Sequence, residues 1–282
     1  MSREDRVQLV AGIDVGASTT KGVILGKSGI IYQCFIETLN DKSSTLRILK
    51  KLLSRVDDVS SIKKVAVSGG DSRIIVKEFF GIPVQKVDEI AATGIGGLFL
   101  SGKNQALIVS VGTGTAIIAA RDGGKMMNHV GGTGVGGGTV VGLARRMLGV
   151  NDFQDLETLA LKGNLNHVDL TVGDIVGGPV GIVPAEATAS NLARLDDETF
   201  PEDVAAGIFN LVSQVVGVVS VMAAKSCNLE EDVVFVGRLV KSPLVSNIIH
   251  ETVRVFGVKA FVPENGEYCT AVGAAAYILR NY

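Results

Sequence analysis

Gly131–Gly142 reads GGTGVGGGTVVG and runs directly into LARRML, Leu143–Leu148. Glycine occupies 131, 132, 134, 136, 137, 138 and 142 of that stretch. A packed core does not call for so many residues without a Cβ, because glycine gives up more backbone entropy on folding than any other residue. Such a run belongs where the backbone turns sharply or comes close to a ligand. The apolar residues after it recur at helical spacing around Arg145 and Arg146. The stretch is therefore read as a glycine loop feeding the N-terminus of a helix, whose unpaired N–H groups and positive dipole end suit a phosphate. A flexible linker would favour Ser and Pro and would not enter an apolar helix. Arg145 and Arg146 read as a solvated face of that helix.

The surrounding composition bounds the answer. With 282 residues, 46 % of them hydrophobic, the chain can bury one large core or two smaller ones. A formal net charge of −2 argues against nucleic acid as a partner, since a phosphate backbone demands a basic face. Cys34, Cys227 and Cys269 stand far apart, which suits reduced thiols in the cytoplasm and offers no zinc or disulfide framework. The opening MSREDRVQ lacks the apolar region of a signal peptide. The longest apolar run, Leu211–Ala224, is interrupted by Ser213, Gln214 and Ser220. It is too short to span a bilayer and reads as a core helix, so no membrane is expected.

Outward from the glycine stretch, strands and helices alternate. Val7–Ile13, Lys21–Leu25, Ile30–Thr38 and Lys63–Ser68 read as strands, and Ser44–Val56 as a helix with Leu46, Leu49, Leu52, Leu53 and Val56 on one face. Asp71–Phe80 reads as a short helix, Ile82–Val87 as extended, and Glu89 onward as a helix of small residues. The opening pattern then returns: GIDVGASTTKGVIL and SVGTGTAIIAA are two versions of one strand–turn–strand unit. Two such units, each followed by helices, predict two like α/β lobes with a ligand cleft between them. The boundary falls near Asn104, giving lobes 1–104 and 105–282, with the last helix, Thr270–Leu279, free to pack back on the first. In the second lobe, Phe153–Leu161, Glu202–Ser226 and Ser242–Phe256 read as helices, and Val233–Val236 and Val258–Val262 as strands.

Several residues carry candidate chemistry. Asp14 ends a buried strand at a glycine turn, where a carboxylate can hold hydrated Mg²⁺; a turn-stabilising Asp is the plainer alternative. Val15, Gly16, Ala17, Ser18, Thr19 and Thr20 would surround a phosphate with N–H and hydroxyl donors, with Lys21 adding charge. Thr113 and Gly114 form a second such turn. No GxxxxGK[ST] motif is present. Glu89 suits a base that accepts a proton from an attacking hydroxyl, and equally suits a helix N-terminal acid beside Asp88. His129, His167 and His250 share no metal-ligand spacing.

GIDVGASTTK, GIPVQKVDE, SVGTGT, HVGGTGVGGGTVVGL, VDLTVGDIVGG and PENGEYCTAVGAAA occur in that order, from Gly12 to Ala276. In this series the chain resembles the type II pantothenate kinases of the actin-like and sugar-kinase ATPase superfamily. The resemblance implies two actin-like, ribonuclease H-like lobes and phosphorylation of pantothenate by MgATP, the first step to coenzyme A. It implies that Asp14–Lys21 meet the ATP phosphates and Mg²⁺. It places Thr113, Gly114, Gly137, Gly138, Thr139, Val140, Val141, Phe153 and Arg238 on the nucleotide and makes Glu89 the base. Glu89, Thr113 and His129 would then touch pantothenate. It also implies a homodimer, for which the apolar helix Val204–Ser226 is the expected interface.

Two departures stand out. His129 occupies a position where the family has arginine, and Arg238 one where it often has a small hydroxyl residue. A histidine is only partly charged near neutral pH, so substrate preference or pH range is expected to differ. Competing readings are another small-molecule kinase on the same scaffold, acting on an N-acetylhexosamine or a pantetheine-like acceptor, and an ATPase switch or activator. Dehydratase activators, which share GIDVG, bridge an iron–sulfur cluster with cysteines, and no cysteine here sits near the helix that follows the second phosphate turn.

Overall fold

The computed structural model describes residues 8–38, 43–69 and 77–280. The chain forms two compact units: residues 1–108, 118–130 and 263–282 make the first, and 109–117 with 131–262 the second. The first sheet comprises β1 (Leu9–Val15), β2 (Thr19–Gly26), β3 (Gly29–Glu37), β4 (Ile62–Ser68), β5 (Glu78–Phe79) and β6 (Ile82–Lys86), in the order β3-β2-β1-β4-β6-β5. β2 runs antiparallel to β1 and β3, while β4 is parallel to β1 and β6.

β1 is buried at every position because helices cover both faces of the sheet. Alternation sorts its side chains. Leu9, Ala11, Ile13 and Val15 join Ile48, Leu49 and Leu52 of α1 (Ser44–Leu53). On the other face Val10 and Ala66 join α2 (Glu89–Ser101) and the closing helix α8 (Cys269–Leu279). α2 and α8 touch backbone to backbone: a Cβ at Gly96 would land on the Cys269 carbonyl, and one at Gly273 on the Ala92 carbonyl. The run of small residues in both helices is what permits that approach.

The second sheet is built from β7 (Ala106–Val111), β8 (Thr115–Arg121), β9 (Met126–Thr133), β12 (Val233–Val236) and β13 (Ala260–Phe261). Its order, read as β9-β8-β7-β12-β13, repeats the β3-β2-β1-β4-β6 order of the first. The repeated strand–turn–strand motif of the sequence thus heads both sheets. A small ribbon pairs β10 (Leu170–Thr171) with β11 (Thr188–Ser190). The helices are α3 (Gly137–Leu148), α4 (Phe153–Ala160), α5 (Val172–Val176), α6 (Pro201–Cys227) and α7 (Pro243–Val255).

Two expectations need correction. The glycine stretch is less loop than expected: Gly131 and Gly132 close β9, and α3 begins at Gly137. Of the expected helix Asp71–Phe80, residues 71–76 lie outside the described residues, and Glu78–Phe79 forms β5. β5 pairs antiparallel with β6 through Phe80-Gly81, both at positive φ (53° and 75°), the two-residue turn that matches strand twist. The expected helix Glu202–Ser226 is present as α6, 27 residues that carry the apolar run near Leu211 and are long and apolar enough by composition to cross a membrane. Even so, 72 % of its most apolar stretch is buried inside the protein. α6 opens with Pro201 in its first turn, and the buried Asp203 ties that turn to the preceding loop, accepting from the Asn164 amide (2.6 Å) and pairing with His167 Nδ1 (2.8 Å).

Candidate functional site

In the first unit the β1–β2 hairpin pairs Asp14 with Lys21 and Val15 with Thr20, leaving Gly16–Thr19 around the tip. Thr38 braces that turn. Its hydroxyl donates to the Gly16 carbonyl (2.8 Å), its amide to the Ser18 carbonyl (3.0 Å), and its hydroxyl meets that of Thr20 at 2.9 Å. The Gly16 and Ser18 carbonyls are thereby occupied. Among the described residues the amides of Ala17 and Ser18 and the Ser18 hydroxyl have no partner, and both residues are exposed. A turn with its carbonyls tied back and its amides free is suited to an anion. Thr38 was missed as a site residue, since in the sequence it only ends a strand.

Asp14 is 9 % exposed, and its carboxylate lies 3.9 Å from Lys21 Nζ. Burial raises its pKa from 3.8 to about 6; Lys21 opposes the rise and the charge of Glu89 adds to it. Glu89 is the first residue of α2 and is exposed. The helix cap is Asp88, whose carboxylate accepts from the Ala91 amide at 3.0 Å. The two acids the sequence could not separate therefore divide: Asp88 caps the helix, and Glu89 has no bonding partner among the described residues while its charge is felt at Asp14. His129 sits exposed on β9.

In the second unit the turn Gly112–Gly114 closes on itself through the Gly112 amide and Gly114 carbonyl (2.8 Å). The start of α3 grips it: the Gly137 and Gly138 amides donate to the Gly112 and Thr113 carbonyls at 2.8 and 2.9 Å. The amides of Thr139 and Val140 return to the Gly136 carbonyl at 3.0 and 3.2 Å. The expected seat of free N–H groups at this helix start is therefore occupied by the protein itself. A Cβ at Gly136 would meet the Thr113 carbonyl at 2.8 Å, so these glycines serve a backbone-on-backbone clasp. The Thr115 hydroxyl, donating to the Val135 carbonyl at 2.8 Å, adds a second tie.

The remaining residues are placed as follows. Thr113 and Gly138 are exposed and Gly114 is half-buried. The Val140 side chain is fully buried and Val141 partly so, which leaves Val140 no free polar group for a ligand. Phe153 opens α4 and packs edge-on against Phe209 of α6, centroids 5.5 Å apart. Arg238 is exposed just after β12.

A cleft of about 420 Å³ also lies in the second unit, lined in part by Asn164, Asp169, Glu186 and Thr188. Its buried acid, Asp169, is already bonded by the Leu192 amide (2.8 Å), Asn210 Nδ2 (2.7 Å) and the Thr188 hydroxyl (3.3 Å). Asp169 therefore stitches β10, β11 and α6 together. The sequence marked its motif without showing that role.

The repeated sheet order and the two strand–turn–strand heads define a two-lobe α/β protein of the actin-like class. Solved structures of that shape include the activator of the 2-hydroxyisocaproyl-CoA dehydratase from Clostridium difficile with bound ADPNP, with a TM-score of 0.69 at 20 % identity, covering 97 % of this chain and 95 % of that one. A ROK family glucokinase from Streptomyces griseus in complex with glucose and AMPPNP has a TM-score of 0.61 at 15 % identity, covering 95 % and 98 %. The family model described as Fumble matches residues 105–277, and the chain belongs to that family. A type II pantothenate kinase of Bacillus anthracis is 26 % identical over 275 residues, covering 94 % of this chain and 96 % of that protein.

Proposed function

We propose that this chain is a pantothenate kinase, transferring the terminal phosphoryl group of ATP to the primary hydroxyl of pantothenate in the first step of coenzyme A synthesis. The observation that carries the chemistry is the pair of carboxylates in the first unit. Asp14 is buried beside Lys21, and the unpartnered Glu89 is near enough to raise the Asp14 pKa. Family membership and the name borne by relatives of matching length support the substrate.

Asp14 fits a divalent cation: it is a buried oxygen donor whose charge a lysine 3.9 Å away compensates only in part. Among the described residues no three acid, His or Cys side chains gather, so a Mg²⁺ held there would keep its waters and take phosphate oxygens. When bound, Mg²⁺ draws negative charge off the phosphoryl oxygens. The free amides of Ala17 and Ser18 donate to phosphate, and Lys21 adds positive charge. We assign further nucleotide contacts to Thr113, Gly114, Gly137, Gly138, Thr139, Val141, Phe153 and Arg238. The clasp at the start of α3 shapes the Thr113 turn and does not itself bind phosphate. Glu89 accepts the hydroxyl proton as the new O–P bond forms and the bond to ADP breaks. We also assign acceptor contacts to Thr113 and His129.

The functional lobes are taken as 1–104 and 105–282, with the closing helix α8 packed back on the first, and the working species as a cytoplasmic homodimer. α6 is largely covered within its own unit, and a dimer contact on it would use the exposed stripe at Val218 and Met222. The test is a coupled measurement of ADP release with pantothenate, with an N-acetylhexosamine and with no acceptor. Release that depends on pantothenate is expected. Preference for the sugar, for which His129 is the motive, or release indifferent to any acceptor, would overturn the reading.

A further inference from the structure

Ser68 is the last residue of β4 and is fully buried, and its hydroxyl has no hydrogen-bond partner among the described residues. Buried hydroxyls without partners are rare, and each asks for an explanation. In the parallel pair β1–β4, Ser68 stands directly across from Asp14. Paired residues of adjacent strands project to the same face, and the strands lie about 4.8 Å apart. That is the face of Val10 and Ala66, on which α2 and α8 pack. Beyond β4 comes β6, joined at this edge by the Val87 amide donating to the Val67 carbonyl at 2.9 Å, and then the turn into Glu89. Ser68 therefore occupies the strand between the two carboxylates. Gly69, at φ +103°, turns the chain tightly against the Val15 backbone, which fixes the Ser68 backbone while leaving its χ1 torsion to move.

The other unpartnered buried side-chain atoms among the described residues are differently placed. Gln33 already donates through Nε2 to Asn265 at 2.7 Å, and Ser213 sits in the middle of α6, where a helix carbonyl is one rotation away. Ser68 alone among them stands opposite a carboxylate.

We propose that Ser68 is the positioning residue of Asp14: when cation and nucleotide bind, its hydroxyl rotates to donate to the Asp14 carboxylate and fixes the rotamer that faces the cation. This rests on the reading of Asp14 as the cation's carboxylate. In the ligand-free protein the hydroxyl makes no bond, so removing it removes no resting contact. In the complex it supplies a hydrogen bond to a charged acceptor, the strong kind.

The experiment compares the wild-type chain with Ser68→Ala and Ser68→Thr. It reads the ligand-free Tm by calorimetry, and the Mg²⁺ concentration for half-maximal ADP binding by titration calorimetry. Ser68→Ala is expected to melt no lower than wild type without ligand, and to need about tenfold more Mg²⁺, the scale of one hydrogen bond to a charged group. Ser68→Thr, which keeps the hydroxyl, is expected to restore the wild-type Mg²⁺ requirement. Ser68→Cys keeps the volume with a weak donor and gives the same readings should the alanine variant not yield folded protein. A ligand-free Tm well below wild type assigns the hydroxyl to the fold and overturns the proposal. An unchanged Mg²⁺ requirement overturns it while leaving Asp14 in place. ADP binding by the wild type that ignores Mg²⁺ removes the reading of Asp14, and the role of Ser68 with it.

Discussion

Replacing Asp14 with asparagine should stabilise the ligand-free protein while abolishing turnover. Burial, opposed by Lys21 and reinforced by Glu89, raises the Asp14 pKa from 3.8 to about 6. The sign follows from proton counts. Between those values the folded protein holds the proton and the unfolded chain has lost it, so stability falls as pH rises through the window. The contribution is fully present below pH 3.8 and fully lost above about 6. At pH 7.5 the ionised carboxylate thus costs on the order of 3 kcal/mol, at about 1.4 kcal/mol for each pH unit between the two values. Asp14→Asn keeps the shape of the protonated acid and removes that cost. For a protein of this size the gain corresponds to a Tm higher by roughly 5–10 °C at pH 7.5. It should shrink steadily toward pH 4. Calorimetric melts of both proteins from pH 4 to 8, without nucleotide or metal, measure it directly. In the presence of Mg²⁺ and ADP the order should reverse, because only wild type has a carboxylate to offer. A variant that melts lower than wild type at pH 7.5, or a gain that does not vary with pH, would refute the reasoning.

Three further substitutions probe separate parts of the structure. Glu89→Gln should lower kcat by roughly two to four orders of magnitude, the scale of a lost general base, with ATP affinity nearly unchanged in steady-state kinetics. Asp169→Ala leaves the Leu192 amide without its acceptor and Asn210 Nδ2 with only the Thr188 hydroxyl at 3.0 Å. Chemical denaturation should report a loss of about 1–3 kcal/mol, the cost of one unsatisfied donor. Gly237→Ala puts a Cβ on the Val111 carbonyl from a residue at φ +106°, and should lower stability by about 2 kcal/mol or more in the same assay. A wild-type denaturation midpoint for either of the last two would remove the structural role given to that residue.

Much of this is legible in the sequence, for reasons that differ from residue to residue. β1 reads as a strand because seven residues covered on both faces leave an apolar run broken only by Gly12 and Asp14. A carboxylate in such a run has few uses other than ionic ones, which is why Asp14 could be singled out. The pairing of Asp88 with Glu89 could not be resolved the same way. Both are acids at a helix start, and only the 3.0 Å bond from the Ala91 amide shows which of them caps. β5 was missed because its turn places Phe80, a residue with no preference for positive φ, beside Gly81.

The glycine stretch shows where composition stops being a guide. Glycine is required wherever a backbone must come close to something, and the sequence does not say to what. A phosphate and a neighbouring carbonyl make the same demand, because both need the Cβ gone and an N–H presented. At Gly137 and Gly138 the partners are the carbonyls of Gly112 and Thr113, so the donors are already used. In the β1–β2 turn, with a single glycine at its tip, Thr38 takes the carbonyls and the amides of Ala17 and Ser18 stay free. The richer glycine run therefore clasps one backbone to another, and the poorer one keeps its amides free for the phosphate proposed above. What distinguishes them is where the carbonyls are tied, a property of residues more than twenty positions away: Thr38 for Gly16, and Gly137 for Gly112.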